Sequence, residues 1–199
     1  IVFVWYPGQE GGYAVADVLF GRRAPSGKLP LTFPRSLDQL PPFEDYTMAG
    51  RTYRYMTAEP LYPFGFGLSY TRFVYSNLRL EKEALRAGEA LPIHFTLSNA
   101  GAVEAEEVVQ IYLTDLETSV PAPLQSLIGF CRVRLQPGEQ REIGFTITPE
   151  MMMLVNDAGE RQLEAGQFRV TVGGCSPGTR GPALGAPQPV SALFSVNEM

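Results

Sequence analysis

The sequence holds one histidine, two cysteines and one tryptophan in 199 residues. His94 is the sole imidazole and falls at a strand-like position, so neither a Ser-His-Asp constellation nor a His-based metal site is expected. Cys131 and Cys175 are too few for a disulfide framework, and no CxxC or Cys/His spacing suggests zinc. No apolar run approaches the roughly 20 residues that cross a bilayer, so no membrane partner is expected. Positive charge is also scarce. Sixteen Lys and Arg stand against 21 Asp and Glu, a net charge of −5, which speaks against a nucleic-acid surface. Nothing in the chain asks for a metal or an organic cofactor.

What is abundant is aromatic, proline and glycine, and the three concentrate in Arg51–Phe73, RTYRYMTAEPLYPFGFGLSYTRF. Here Tyr53, Tyr55, Tyr62, Phe64, Phe66, Tyr70 and Phe73 alternate with Pro60, Pro63, Gly65 and Gly67. Prolines fix φ and remove amide donors, while glycines permit backbone angles that other residues resist, so neither a regular helix nor a central strand is expected. The spacing predicts an extended, kinked ribbon that holds rings at set positions. Two readings of it stand. The rings bury area between two bodies, or they stack on sugar faces while Arg51 and Arg54 donate to hydroxyls. Packing is the favoured one, because most aromatic clusters are packing.

Before the ribbon, Ile1–Trp5 (IVFVW) reads as a strand buried on both faces of a parallel sheet. A Gly-rich loop follows, then apolar residues at helical spacing (Val15, Val18, Leu19), with Gly21 placed to end the helix. Strand, loop and helix make a βα unit, whose loop is where α/β folds bind ligands. The loop GQEGG lacks the Lys-Ser/Thr and glycine spacing of a phosphate loop. Its Gln9 and Glu10 are instead candidates for holding sugar hydroxyls, as is Arg54 in the ribbon, and the amides of Gly11 and Gly12 are expected to face outward. Leu29, Leu31 and Phe33 alternate as a short edge strand. One strand and one helix cannot bury a core alone, and the chain opens without Met inside a core-strand pattern. It is therefore expected to be the C-terminal end of a longer protein whose missing sheet neighbours lie upstream.

From Phe73 the periodicity turns to two. Phe73–Leu80, Leu91–Leu97, Val109–Leu113, Leu127–Leu135, Ile143–Ile147, Met151–Asn156, Phe168–Val172 and Leu193–Val196 read as short strands separated by turn signals, the pattern of an antiparallel β-sandwich. Met151, Met152 and Met153 are read as flexible core filler. Gly173–Pro189, rich in Gly and Pro, is read as a mobile surface loop.

Several motifs also resemble a known family. WYPGQEGG at 5–12, ADVLFG at 16–21, PSGKLPLTFP at 25–34, EPLYPFGFGLSYT at 59–71 and EVVQIYLTD at 107–115 are similar to the C-terminal region of glycoside hydrolase family 3. GRTYRY at 50–55 resembles the β-xylosidase branch more than the general β-glucosidases. The resemblance implies a remnant of an α/β sandwich domain (1–50), an aromatic linker (51–72) and a fibronectin type III-like, immunoglobulin-like β-sandwich (73–199). It implies retaining, exo-acting hydrolysis of terminal β-linked sugars, as oligosaccharide or aryl glycoside. The aspartate nucleophile would sit in an upstream barrel domain and the glutamate acid/base in the α/β domain. Neither family motif falls within this chain, so no catalytic residue is assigned to it. The alternative role is a carbohydrate-binding accessory module, with Tyr112 and the ribbon tyrosines as a platform. The sequence leaves the sugar, the oligomeric state and the localisation undetermined.

Overall fold

A computed structural model describes residues 1–197. The chain opens with helix α1 (Gly11–Leu19), a 3-10 turn (Leu37–Gln39) and the one-turn helix α2 (Thr52–Tyr55). Strands β1 (Phe73–Leu80), β2 (Ala84–Arg86), β3 (Leu91–Asn99), β4 (Ala105–Asp115), β5 (Ser126–Leu135) and β6 (Gln140–Ile147) follow. Then come α3 (Pro149–Met152), β7 (Leu154–Val155), β8 (Arg161–Gln162), β9 (Gly166–Gly173), α4 (Arg180–Ala183) and β10 (Val190–Asn197).

Two sheets form the sandwich: β1-β3-β6 on one side and β2-β10-β9-β4-β5 on the other, with β7-β8 as a separate ribbon. Alternation explains which side chains go in. β3 buries Leu91, Ile93, Phe95 and Leu97, and β4 buries Val109, Ile111 and Leu113 against them, closing one core with Leu135, Phe168, Val170 and Phe194. The fold is the β-sandwich that the period-two pattern announces. One pair departs from purely antiparallel order, since β2 runs parallel to β10. β2 and β8 are too short to carry a periodic signal, and Met151–Asn156 divides into a helical turn and a two-residue strand. Met152 is buried and Met151 packs on the core, as gap-filling side chains do.

Three expectations need correction. Ile1–Trp5 is not a buried strand: all five residues are exposed and unpaired among the described residues. A strand so apolar needs ladder partners and two covering faces, and no described residue supplies them. The amide of Gly11 does not face outward, because it donates to the Gly8 carbonyl and Gly11 is buried against Pro7. Gly173–Pro189 is not a loose loop either. Gly173 to Ser176 are buried, α4 forms within it, and Cys175 and Ala186 pack on Phe66. Small residues let this segment lie close against the ribbon, so composition that reads as mobility serves contact here.

The short strand expected at Leu29–Phe33 finds its partner in the ribbon itself. Leu29 donates to Phe66 at 2.9 Å, Gly65 to Leu29 at 2.8 Å and Phe33 to Tyr62 at 2.9 Å, an antiparallel register. Gly65 has φ +76°, and a Cβ there would lie 2.0 Å from Oε1 of buried Gln110. Gly65→Ala must both adopt a left-handed backbone and displace that amide. It is expected to destabilise the protein by about 2–4 kcal/mol, read as a fall in denaturation midpoint at unchanged slope.

Candidate functional site

The outward face of β4 positions the rest of the chain. Glu107 lies on the same inward register as Val109 and Ile111, whereas Gln110 and Tyr112 point the other way and would be wet without a cover. The ribbon supplies the cover. Tyr53 stacks on Phe64 with ring centroids 4.4 Å apart and meets the edge of Tyr112 at 5.8 Å, the offset and T-shaped arrangements that the ring quadrupole favours. Gln110, 3% exposed, donates from Nε2 to the Gly65 carbonyl at 3.1 Å and to the Gly174 carbonyl at 2.8 Å, and its Oε1 accepts from the Tyr112 hydroxyl. Ribbon, strand and the 173–189 segment thus share one amide. Ser176 N–H closes the circuit by donating to the Phe64 carbonyl at 2.8 Å.

An ion pair pins the limb that precedes the ribbon. Lys28 Nζ lies 2.8 Å from Glu107 Oε1 with both side chains nearly dry, and it donates to the Gly67 carbonyl at 2.9 Å. Burial pushes the Glu107 carboxyl above its usual range, and the Lys28 ammonium pulls it back part of the way. Arg132 Nη1 adds a second tie at 2.7 Å to the Ser26 hydroxyl. Helix α1 is tied on by the Tyr70 hydroxyl, which donates to the Val18 carbonyl at 2.7 Å.

Two clefts flank α2. One, of about 210 Å³, lies between the ribbon and the 173–189 segment and is lined by residues including Thr32, Tyr53, Glu59, Gln125, Ser176 and Arg180. The other, of about 200 Å³, has Arg54, Asp115 and Met151–Met153 among its walls. Thr52, at the start of α2, has φ 55°, a strained angle for a β-branched residue. It is held there because Tyr53 is packed on both sides and Gln125 Nε2 donates to the Tyr53 carbonyl at 3.2 Å. The strain therefore sits where the chain must turn one side chain into each cleft.

The sequence candidates are not brought together. Arg54 lines the second cleft, where it donates to the Ser126 hydroxyl at 3.5 Å. Gln9 and Glu10 are exposed at the start of α1 and line neither cleft, and Glu10 makes no side-chain cap. Tyr112 is 1% exposed, so it cannot serve as a glycan platform: the ribbon occupies its ring. The residues that hold the joint, Lys28, Glu107 and Gln110, were not singled out from sequence. A signal was available for Glu107, a carboxylate on the apolar register of a strand. Among the described residues no cluster of three metal-ligating side chains forms, and no helix is long and apolar enough to cross a membrane.

Fold and joint together define a class: a fibronectin type III-like β-sandwich with the preceding segment bonded along one sheet face. Residues 1–70 match the glycosyl hydrolase family 3 C-terminal domain, and residues 107–176 match the fibronectin type III-like domain. The chain belongs to the C-terminal region of glycosyl hydrolase family 3. It is similar to a periplasmic beta-glucosidase of Salmonella typhimurium, 38% identical over 87% of this chain and 24% of that protein. A beta-xylosidase of Formosa agariphila is 37% identical over 88% of this chain and 25% of its own length. The structure of beta-glucosidase 3B from Thermotoga neapolitana in complex with glycerol superposes with a TM-score of 0.83 at 36% identity, covering 98% of this chain and 28% of that one. The chain thus spans about a quarter of the length of the curated relatives it matches.

The buried pair gives a pH-dependent test. Glu107 binds its proton more readily folded than unfolded, so its contribution to stability is fully present below its ordinary value of 4.5 and is lost as pH rises through the raised one. Glu107→Gln removes that loss. The stability difference between this variant and the wild type should therefore shift in the variant's favour as pH rises from about 4.5, measured by urea titration at a series of pH values.

Proposed function

We propose that this chain is the C-terminal segment of a retaining, exo-acting β-glycosidase, a β-xylosidase or β-glucosidase that hydrolyses terminal β-linked sugars. On this reading residues 1–50 finish an α/β sandwich domain, 51–72 form the aromatic linker and 73–199 the fibronectin type III-like body. The segment braces the enzyme and does not supply its catalytic carboxylates. Its partners are the barrel and α/β domains of the same protein, and through them a β-linked oligosaccharide or aryl glycoside.

The observation that carries the reading is the joint itself. A buried ion pair, a shared buried amide and a ring stack fasten the family 3 portion to the sandwich. On this reading the fastening holds the family 3 portion in one orientation on the sandwich. The names of the relatives, beta-xylosidase and beta-glucosidase, supply the reaction class. Retaining hydrolysis needs two carboxyls about 5–5.5 Å apart across the scissile bond. Each cleft here is lined by a single one, Glu59 or Asp115, and burial raises the Asp115 carboxyl. Exposed Gln9, Glu10 and Arg54 belong on this reading to the rim of the substrate site. The accessory-module alternative keeps only the ribbon tyrosines, Tyr70 among them exposed, since the Tyr112 ring is covered.

Two measurements test the proposal. The full-length protein should turn over an aryl β-xyloside or β-glucoside, whereas the 199-residue chain alone should not; turnover by the chain alone would overturn the reading. Phe64 is half-buried rather than buried, stacked on Tyr53. Phe64→Ala is therefore expected to cost about 2–3 kcal/mol, below the roughly 3–5 kcal/mol typical of a fully buried ring. An unchanged melting temperature of the full-length protein would contradict the brace.

A further inference from the structure

The cleft of about 210 Å³ between the ribbon and the 173–189 segment carries polar groups that the fold itself does not use. Thr32 lines the cleft with its half-buried side chain, but its Oγ1 is itself enclosed by protein and offers no surface to the open space. Ser176 is 5% exposed, and its amide is spent on the Phe64 carbonyl, which leaves the side-chain hydroxyl at the cleft wall. Gln125 spends Nε2 on the Tyr53 carbonyl and keeps its carbonyl oxygen.

Charge in the cleft is unbalanced. Glu59 is paired with Arg35. Arg180 donates from Nε to the Leu61 carbonyl at 3.1 Å and has no carboxylate within 4.0 Å among the described residues, so its outer guanidinium nitrogens lack an anionic partner. Met56, Pro60 and Pro63 add apolar lining. A cleft of about 210 Å³ has room for one six-membered ring.

We propose that this cleft is a binding site for a monosaccharide-sized hydroxylated carboxylate, the chemistry of a hexuronic acid. The carboxylate pairs with Arg180 in a charge-assisted contact. The ring hydroxyls bond to Ser176 and Gln125, and the C–H face lies on the Met56 and proline lining. The site is built by the joint, since the ribbon forms one wall and the 173–189 segment the other. It differs from the substrate site of the proposed glycosidase, and its ligand is read by binding rather than by turnover, so either reading can fail alone.

Calorimetric titration of the full-length protein with D-glucuronate, D-glucose and acetate tests it. Glucuronate should bind with a Kd of about 1 mM, a scale set by one ion pair and a few hydroxyl bonds. Arg180→Met should weaken that binding at least about tenfold while leaving the response to D-glucose unchanged. Ser176→Ala, which keeps the backbone bond to Phe64, should weaken it about threefold. Arg54→Met, in the other cleft, should have no effect on it. Glucuronate affinity within twofold of wild type in Arg180→Met overturns the proposal. So does acetate binding as tightly as glucuronate, because the hydroxyls would then contribute nothing.

Discussion

Everything before the sandwich is held by what happens on and beside one strand, β4. Its inward side carries Glu107 among apolar neighbours, and its outward side carries Gln110 and Tyr112. Neither arrangement is tolerable alone. An unpaired buried carboxylate costs several kcal/mol, and a dry amide without partners costs about 1–3 kcal/mol. Lys28 answers the first and the carbonyls of Gly65 and Gly174 answer the second. Polar residues of the sandwich are thus satisfied by groups outside it, and this makes limb, ribbon and body interdependent. Hydrophobic area alone would hold the pieces together without fixing their register, whereas the buried carboxylate and amide are satisfied only where Lys28 and the Gly65 and Gly174 carbonyls meet them.

The aromatic stack adds area and shape to that geometry. Tyr53 lies between Phe64 and Tyr112 and also accepts a hydrogen bond at its hydroxyl from Leu127 N–H at 3.2 Å. Its ring packs while its polar end reaches β5, the dual role for which buried tyrosines are suited. The strained backbone at Thr52 and the left-handed Gly65 are the local costs of bringing these rings onto the sheet. The same approach leaves space on either side of α2, so the two clefts are by-products of how the joint is made.

Much of the fold was legible in the sequence because period two is a strong local signal. Phe73–Leu80 and Leu127–Leu135 were marked within a residue of where β1 and β5 run, and Gly21 ends its helix as its position suggests. The family resemblance was equally legible, since its motifs run in order along the chain. What failed depends on long-range contact. Ile1–Trp5 has the composition of a buried strand, but composition does not supply a neighbour. Gly173–Pro189 has the composition of a loose loop, yet Gln110 and Phe64 hold it from 64 and 112 residues away. The joint escaped for the same reason: Lys28 and Glu107 each read as an ordinary charge until the fold removes water from both.

Hydrogen exchange at individual amides of the protein tests the central claim most directly. If limb, ribbon and sandwich open as one unit, the amides of Leu29, Phe33, Gly65 and Ser176 should be protected to the same free energy as those in the middle of β4. Protection of β4 with exchange at Leu29 and Gly65 faster by about a hundredfold or more, equivalent to about 3 kcal/mol of independent opening, would contradict it.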